Sequence, residues 1–151
     1  PRMQIALRGI SSVVALMAAT SPSMAAQDLV AGPVRVSVVR VLDGDTFIGD
    51  AHIWPGHSVR VAVRIRGIDA PEMKARCRRE KRAAQRARAA LEEMLGEGEA
   101  VITEIGGGKY FGRVLADVAT SRQPEVAARL LEAGLVRAYD GRRRENPCAV
   151  P

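Results

Sequence analysis

Apolar residues recur at every second position from Val34 onward and at helical spacing after Pro71. This change of period is the feature that most constrains the fold. The first stretch, in which valines alternate with polar residues, is typical of a half-buried β-strand that ends at Asp43-Gly44-Asp45. A second strand starts at Thr46, turns through Trp54-Pro55-Gly56 and returns toward Pro71. The strand that follows this turn has two different faces. One face is apolar and consists of Val59, Val61, Val63 and Ile65, and the other carries Arg60, Arg64 and Arg66.

The segment after Pro71 predicts one amphipathic helix. Small and apolar residues form a single stripe there, made of Ala83, Ala87, Ala90, Leu91, Met94 and Leu95, and Gly96 and Gly98 end the helix. Two strands over about 100–105 and 110–119 follow, joined by Gly106-Gly107-Gly108-Lys109. A second helix is predicted from Pro124 to its cap at Gly134, and a last short strand runs from Leu135 to Tyr139. The apolar face of this second helix consists of Val126, Leu130 and Leu131.

The predicted order is β-β-β-α-β-β-α, which indicates a mainly β protein with helices (α+β). We expect a five-stranded oligonucleotide-binding (OB) fold barrel that carries two to three helices. The 151 residues suffice for one hydrophobic core but not for two comfortable domains. We place that domain at residues 34–140, with an N-terminal extension over residues 26–33 and a basic tail over residues 141–151.

The first 25 residues have the pattern of a secretory signal peptide. Arg2 and Arg8 precede a short apolar run, Ile10 to Ala19, and Ser23-Met24-Ala25 offers small residues for a cleavage site. The run is about half of the ~20 apolar residues that a membrane span needs. We therefore expect export to the periplasm or the medium, with no stable membrane association after cleavage. An N-terminal anchor that is never cut is the alternative.

Basic residues are concentrated in one segment of a chain with net charge +6. Such a cluster suits a polyanionic partner, although a solvated arginine-rich helix face would have the same composition. The cluster consists of Arg76, Arg78, Arg79, Lys81, Arg82, Arg86 and Arg88.

The sequence contains two cysteines, Cys77 and Cys148. In an oxidising compartment this even number can pair, and the bond would tie the C-terminal tail to the first helix. Two free buried thiols are the alternative. The cysteines and the two histidines, His52 and His57, show no spacing of a usual zinc site.

Three segments place charged residues at or near predicted strand ends. The first is Asp43-Gly44-Asp45-Thr46, which on its own is also ordinary turn chemistry. The second runs from Arg64 to Glu72 and reads Arg-Ile-Arg-Gly-Ile-Asp-Ala-Pro-Glu, where the proline fixes the backbone between two carboxylates. The third is Gly112-Arg113-Val114-Leu115-Ala116-Asp117.

In this order the three segments resemble the staphylococcal nuclease family, over about Val36 to Tyr139. The resemblance implies an OB-type barrel, calcium dependence and hydrolysis of DNA and RNA. It implies that Asp45 and Asp69 are calcium ligands, together with the backbone carbonyl of Ala70. It further implies that two arginines bind phosphate and that one glutamate activates or positions water, these being Arg64, Arg113 and Glu72.

The residue types suit these roles on chemical grounds. Calcium prefers hard oxygen ligands. A guanidinium fork can hold two phosphate oxygens and stabilise the charge that develops during attack. Glu72 can orient or deprotonate water, and Asp43 is expected to hydrogen-bond a metal-bound water. Arg66 and Asp117 are interpreted as structural or surface charges.

Four further residues are candidate substrate contacts: Phe111, Tyr139, Lys74 and Arg76. Phe111 stands where the family often has a tyrosine, and a phenyl ring can stack but cannot donate a hydrogen bond. Tyr139 matches a region with a nucleotide-contacting tyrosine, and core packing is its alternative role. Lys74 and Arg76 could contact the phosphate backbone.

We therefore predict a monomeric, calcium-dependent nuclease that cleaves phosphodiester bonds in DNA, RNA or both. The alternative is a catalytically inactive barrel of the same family that binds nucleic acid without cutting it. Glu72 argues against this alternative, because a binding module needs positive charge and has no use for a carboxylate beside phosphate.

Overall fold

The computed structural model describes residues 29–142 and 148–149. Five of its strands close into a barrel in the order β1-β2-β3-β6-β5, and β5 pairs with β1. The β3–β6 pair is parallel and the other barrel pairs are antiparallel. The elements along the chain are β1 (Val34–Asp43), β2 (Thr46–Trp54), β3 (His57–Ile65), β4 (Ile68–Asp69), α1 (Arg78–Leu95), β5 (Glu99–Gly107), β6 (Arg113–Thr120), α2 (Val126–Glu132) and β7 (Arg137–Ala138).

This closed, mainly β barrel with two helices confirms the predicted fold class and is consistent with an OB fold. Its interior is filled by alternate strand residues such as Val36, Phe47, Val63 and Ile65, none of which is exposed to solvent. The apolar face of β3 enters the core only near the C-terminal end of the strand. Val59 remains 45% exposed, because the β2–β3 hairpin extends beyond the barrel.

Helix α1 packs against β1 and carries the predicted apolar stripe. Ala87, Leu91 and Leu95 are buried, and Gly96 ends the helix with a positive φ of 60°. The buried stripe also includes a charged residue, Glu80, in the first turn. This position was not anticipated from the spacing of apolar residues.

Helix α2 lies where it was predicted, but its apolar face is narrower than expected. Val126 and Leu130 are buried, whereas Leu131 is 37% exposed and does not belong to the core. Gly134 follows the helix with a positive φ of 64°, as expected for the residue after a helix end.

The connection between β5 and β6 lies later than predicted. Gly106 and Gly107 belong to β5 and pair with Leu115 and Val114 of β6. The turn is therefore formed by residues 108–112. Glycine is tolerated in the strand because the hydrogen bonds of the β-ladder are made by the backbone alone.

The predicted strand from Leu135 to Tyr139 is reduced to β7, which pairs with β4 outside the barrel. Ile68 lies opposite Ala138, and Asp69 lies opposite Arg137. This small sheet brings the C-terminal part of the domain next to the segment that follows β3.

A disulfide joins Cys77 to Cys148, with their Cα atoms 5.7 Å apart, which confirms the predicted pairing. Cys77 immediately precedes α1, so the bond ties the chain after α2 to the start of the first helix. Within the described residues, no helix combines the length and the apolar character needed to cross a membrane. The predicted signal peptide lies outside the described residues.

Candidate active site

The centre of the candidate site is an arginine between two aspartates. Arg64, near the end of β3, places Nη1 2.5 Å from Oδ2 of Asp45 and Nη2 3.4 Å from Oδ1 of Asp69. The side chains of Arg64 and Asp69 are only 16% and 19% exposed. The structure therefore brings together three of the predicted residues from β3, β4 and the β1–β2 turn.

Asp45 is held by contacts to both of its carboxylate oxygens. Oδ1 accepts a hydrogen bond from the Thr46 hydroxyl at 2.8 Å, and Oδ2 accepts one from the backbone N–H of Ala70 at 2.6 Å. The second bond connects the β1–β2 turn to the loop that leads to Glu72. Asp45 therefore has a structural role as well as a possible role as a ligand.

The glycine between the two aspartates of this turn is required by close packing. A Cβ atom at Gly44 would lie 2.5 Å from the Cβ of Ala87 in α1 and 2.9 Å from the Cβ of Ala70. From the sequence alone, Gly44 is explained by the tight turn that it permits. The contacts show that the glycine also lets the turn approach α1, which positions both flanking carboxylates.

Asp43 lies beside Asp45, and its Oδ1 accepts the backbone N–H of Asp45 at 3.1 Å. Burial, followed by the negative charge of Asp45, raises the pKa of Asp43 from its ordinary 3.8 to about 6. The charged form of Asp43 is therefore disfavoured at this position. A cation bound nearby would favour the charged form.

Arg113 opens β6 and lies on the same face of the barrel wall as Arg64. The parallel register pairs Ala62 with Arg113 and Arg64 with Leu115, so the two arginines are offset by two residues on neighbouring strands. The buried Nε of Arg113 has no hydrogen-bond partner in the described part of the chain. An arginine with unused donor capacity next to Arg64 suits a phosphate ligand.

The ring of Tyr110 lies against Arg113, with 4.7 Å between the guanidinium carbon and the ring centroid. The sequence motif points to Phe111 and gives no signal for Tyr110. Phe111 is fully exposed, and no contact with another described residue places it at the site. The aromatic residue that contacts the predicted phosphate-binding arginine is therefore one position earlier.

Glu72 follows the two aspartates in the loop between β4 and α1, and its side chain is exposed. Its backbone N–H donates to Oε1 of Glu80 at 3.2 Å, and its carbonyl accepts the N–H of Ala75 at 3.1 Å. Glu80 is only 6% exposed. The buried carboxylate of α1 thus positions the backbone of the predicted catalytic residue.

Glu80 was also missed in the sequence analysis, although a signal was present. It precedes Ala84, Ala87 and Leu91 at helical spacing and therefore falls on the buried stripe of α1. A carboxylate on such a stripe requires polar partners, which the loop around Glu72 provides.

The remaining candidates lie around this centre. The ring of Tyr139 is 42% exposed and has its centroid 6.0 Å from the guanidinium carbon of Arg64, which favours a substrate contact over core packing. Lys74 and Arg76 are exposed in the loop after Glu72.

Arg66 and Asp117 form an ion pair at 3.4 Å, in agreement with a structural role for both residues. Arg66 also donates to the carbonyl of Leu115 at 3.1 Å and to the carbonyl of Glu104. These bonds connect β5 and β6 to the segment after β3.

The donor set at this centre is compatible with a hard cation. Among the described residues, no group of three or more His, Cys, Asp and Glu side chains converges on one point. However, Asp45 and Asp69 both face one positive group, Arg64, and the backbone N–H of Ala70 donates to Asp45. Two carboxylates completed by water are ligands of the kind that calcium takes.

No curated protein matches the chain. A family model described as staphylococcal nuclease homologue matches residues 62–149. The match includes Arg64, Asp69, Glu72 and Arg113, and it extends beyond half of the chain. The chain therefore belongs to the staphylococcal nuclease homologue family.

Proposed function

We propose that this protein is a calcium-dependent nuclease that hydrolyses phosphodiester bonds in DNA, RNA or both. The observation that carries the proposal is the placement of Arg64 between Asp45 and Asp69, on the same barrel face as Arg113. Family membership supports a nuclease-like or nucleic-acid-binding module. The carboxylates and Glu72 favour the catalytic form of that module.

The two arginines would bind the non-bridging oxygens of the phosphodiester. The Nε of Arg113 has no hydrogen-bond partner among the described residues, and Tyr110 supports its guanidinium from one side. Charge on these oxygens grows as water attacks phosphorus, so donors already in place stabilise the transition state more than the ground state. This effect is usually the largest catalytic term.

Glu72 would accept the proton of the attacking water. The new bond forms between the water oxygen and phosphorus, the bond from phosphorus to the leaving oxygen breaks, and solvent protonates the leaving oxygen. Glu72 is suited to this role because its side chain is exposed while its backbone is held by Glu80 and Ala75. A general base held in this way commonly contributes about 10²–10⁴-fold to the rate.

Asp45, Asp69 and the carbonyl of Ala70 are the residues that would hold calcium. The bound ion would supply positive charge to a phosphate oxygen. Burial and then the charge of Asp45 raise the pKa of Asp43, and a cation bound beside this pair would offset the second of these causes.

The test is cleavage of single-stranded DNA and RNA by the purified protein, with calcium and then with excess EGTA. Arg64→Lys and Arg113→Lys keep the charge but lose the planar fork, so both should reduce turnover strongly. Glu72→Gln should reduce it about 10²–10⁴-fold while leaving affinity intact.

Arg60→Lys is the matched control, because Arg60 lies on the same strand as Arg64 but forms an exposed pair with Asp50. It should cut at the parent rate. Undiminished cleavage in EGTA would refute the calcium assignment, and parent rates in all three site variants would place the chemistry elsewhere. Binding without cleavage under every condition would establish the inactive binding module.

We also propose that the protein is exported and acts as a monomer. The disulfide between Cys77 and Cys148 supports export, because such bonds persist mainly in oxidising compartments. Cell fractionation and the mass of the native protein in solution test the two statements.

A further inference from the structure

A cavity of about 150 Å³ lies directly beside the candidate site. Asp69 and Pro71 line it together with Glu80, Ala83 and Arg86 of α1 and with the C-terminal segment from Gly134 to Arg137. Both acidic lining residues have partners at the candidate site, since Asp69 contacts Arg64 and Glu80 accepts the backbone N–H of Glu72. Asp69 belongs both to this cavity and to the centre around Arg64. A ligand in the cavity would therefore be next to the reacting phosphate.

The lining of this cavity includes two arginines, Arg86 and Arg137. Neither forms an ion pair with a carboxylate of residues 29–142 or 148–149. Both residues are exposed, and they approach the cavity from different elements. Two guanidinium groups on the lining of one cavity suit an anion with several oxygens.

The position of Arg137 in β7 places it close to the reaction centre. Tyr139 follows β7 directly and is two residues from Arg137, so their Cα atoms are separated by at most about 7 Å. Tyr139 lies against Arg64, and Arg137 lies opposite Asp69 in the β4–β7 register. A spacing of this size is close to that between successive phosphates of an extended polynucleotide.

We propose that Arg86 and Arg137 form a second phosphate subsite, which binds the phosphodiester adjacent to the one that is cut. This inference rests on the proposed nuclease function and specifies its substrate as an extended polynucleotide strand. A dinucleotide with one phosphate can occupy the reaction centre only. A longer strand occupies both sites, and the exposed ring of Tyr139 beside Arg64 offers a surface on which a base can stack.

The experiment measures binding in the Glu72→Gln background, so that cleavage does not interfere. Fluorescein-labelled oligothymidylate of about twelve nucleotides is titrated by anisotropy at several salt concentrations in calcium. Two phosphate contacts on a single strand contribute about 1.4 to the slope of log affinity against log salt. Arg86→Gln with Arg137→Gln should reduce the slope by about that amount and weaken binding roughly tenfold or more at low salt.

The matched control is Arg40→Gln with Arg122→Gln. These arginines are also exposed and unpaired within the described residues, but they do not line this cavity. The control has the same net charge as the test protein and should retain the parent slope. Arg86→Lys with Arg137→Lys should restore the slope, since charge is kept, but only part of the affinity.

The length of the probe provides an independent readout. The affinity ratio between the oligomer and a labelled dinucleotide should fall in the Arg86→Gln, Arg137→Gln protein and remain at the parent value in the control. An equal loss in test and control proteins, or an unchanged slope in the test protein, would overturn the subsite.

Failure of the proposed function would be recognised separately. If the parent protein binds the oligomer but shows no calcium-dependent cleavage, the proposed nuclease function is refuted. The comparison of salt slopes between test and control proteins would still decide whether the phosphate subsite exists. Absence of any oligomer binding by the parent protein would overturn both proposals.

Discussion

The contact between Glu80 and the backbone of Glu72 predicts that a buried residue of α1 controls catalysis without touching substrate. Glu80→Leu removes the acceptor of the Glu72 N–H, which lies 3.2 Å away, and replaces a carboxylate that is only 6% exposed. Glu80→Gln keeps an oxygen at the same position. The two variants therefore separate the hydrogen bond from the volume and the charge of the side chain.

The magnitude follows from how Glu72 is held. Loss of an acceptor for a partly buried N–H costs about 1–3 kcal/mol, and displacement of a catalytic group by about 1 Å can cost 10²-fold in rate. Glu72 keeps its bond to Ala75 and the constraint of Pro71, so the displacement is partial. We expect Glu80→Leu to lower kcat about 10- to 100-fold, with less effect on KM. Glu80→Gln should remain within about fivefold of the parent.

The decisive assay is a double-mutant cycle on kcat with Glu72→Gln. If Glu80 acts through Glu72, Glu80→Leu should cost little further activity once Glu72 has lost its carboxylate. A general loss of structure would instead lower the residual rate again. Urea unfolding establishes that each variant is folded during the measurement. A folded Glu80→Leu protein with the parent kcat would refute the positioning role.

Three further predictions concern the disulfide, the acidic turn and the aromatic support. Cys148→Ser should lower the free energy of unfolding by up to roughly 4 kcal/mol, measured in urea, because the bond closes a loop of 71 residues in the unfolded chain; equal stability with and without reductant in the parent would contradict this. In EGTA the folded state binds a proton at Asp43 more tightly than the unfolded state does, so parent stability should rise as the pH falls from about 7 toward 5. Asp43→Asn should abolish that rise and be more stable by on the order of 1 kcal/mol at pH 7, after discounting for solvent screening; an unchanged pH profile would contradict the assignment. Tyr110→Ala should lower kcat/KM about two- to fivefold, because Arg113 loses an exposed cation–π contact worth about 0.5–1 kcal/mol. Tyr110→Phe keeps the ring and should have the kcat/KM of the parent.

The barrel was predictable because its longer strands and its first helix have clear periods. Alternation identified β1 to β3, and the stripe around Leu91 identified α1. The two-residue strands β4 and β7 have no period to detect, since they exist only because each provides the other with a partner. Gly106 and Gly107 were assigned to a turn because glycine is common there, but tertiary pairing with β6 overrides that local preference.

The candidate site was predictable where residue type and motif coincided. Asp45, Arg64 and Asp69 do converge, although they come from different segments. Glu80 and Tyr110 could not be assigned in the same way, because their roles depend on which groups face them after folding. Their neighbours are a backbone N–H and a guanidinium, and a pattern of residue types along the chain records neither.

Asp45 and Asp69 differ in burial and in their contacts. A substitution at each residue therefore gives different evidence about its role as a metal ligand. Asp45 is only 5% exposed and connects the Thr46 hydroxyl, the Ala70 N–H and Arg64, so its removal disturbs the loop before Glu72 as well as any bound cation. Asp69 is more exposed and contacts Arg64 at a longer distance. Loss of activity at Asp45 alone is therefore compatible with a purely structural role, because leaving buried donors unpaired is costly in itself. Loss of calcium affinity at Asp69 in a protein of unchanged stability is the stronger evidence for a metal ligand, since it separates ligation from folding.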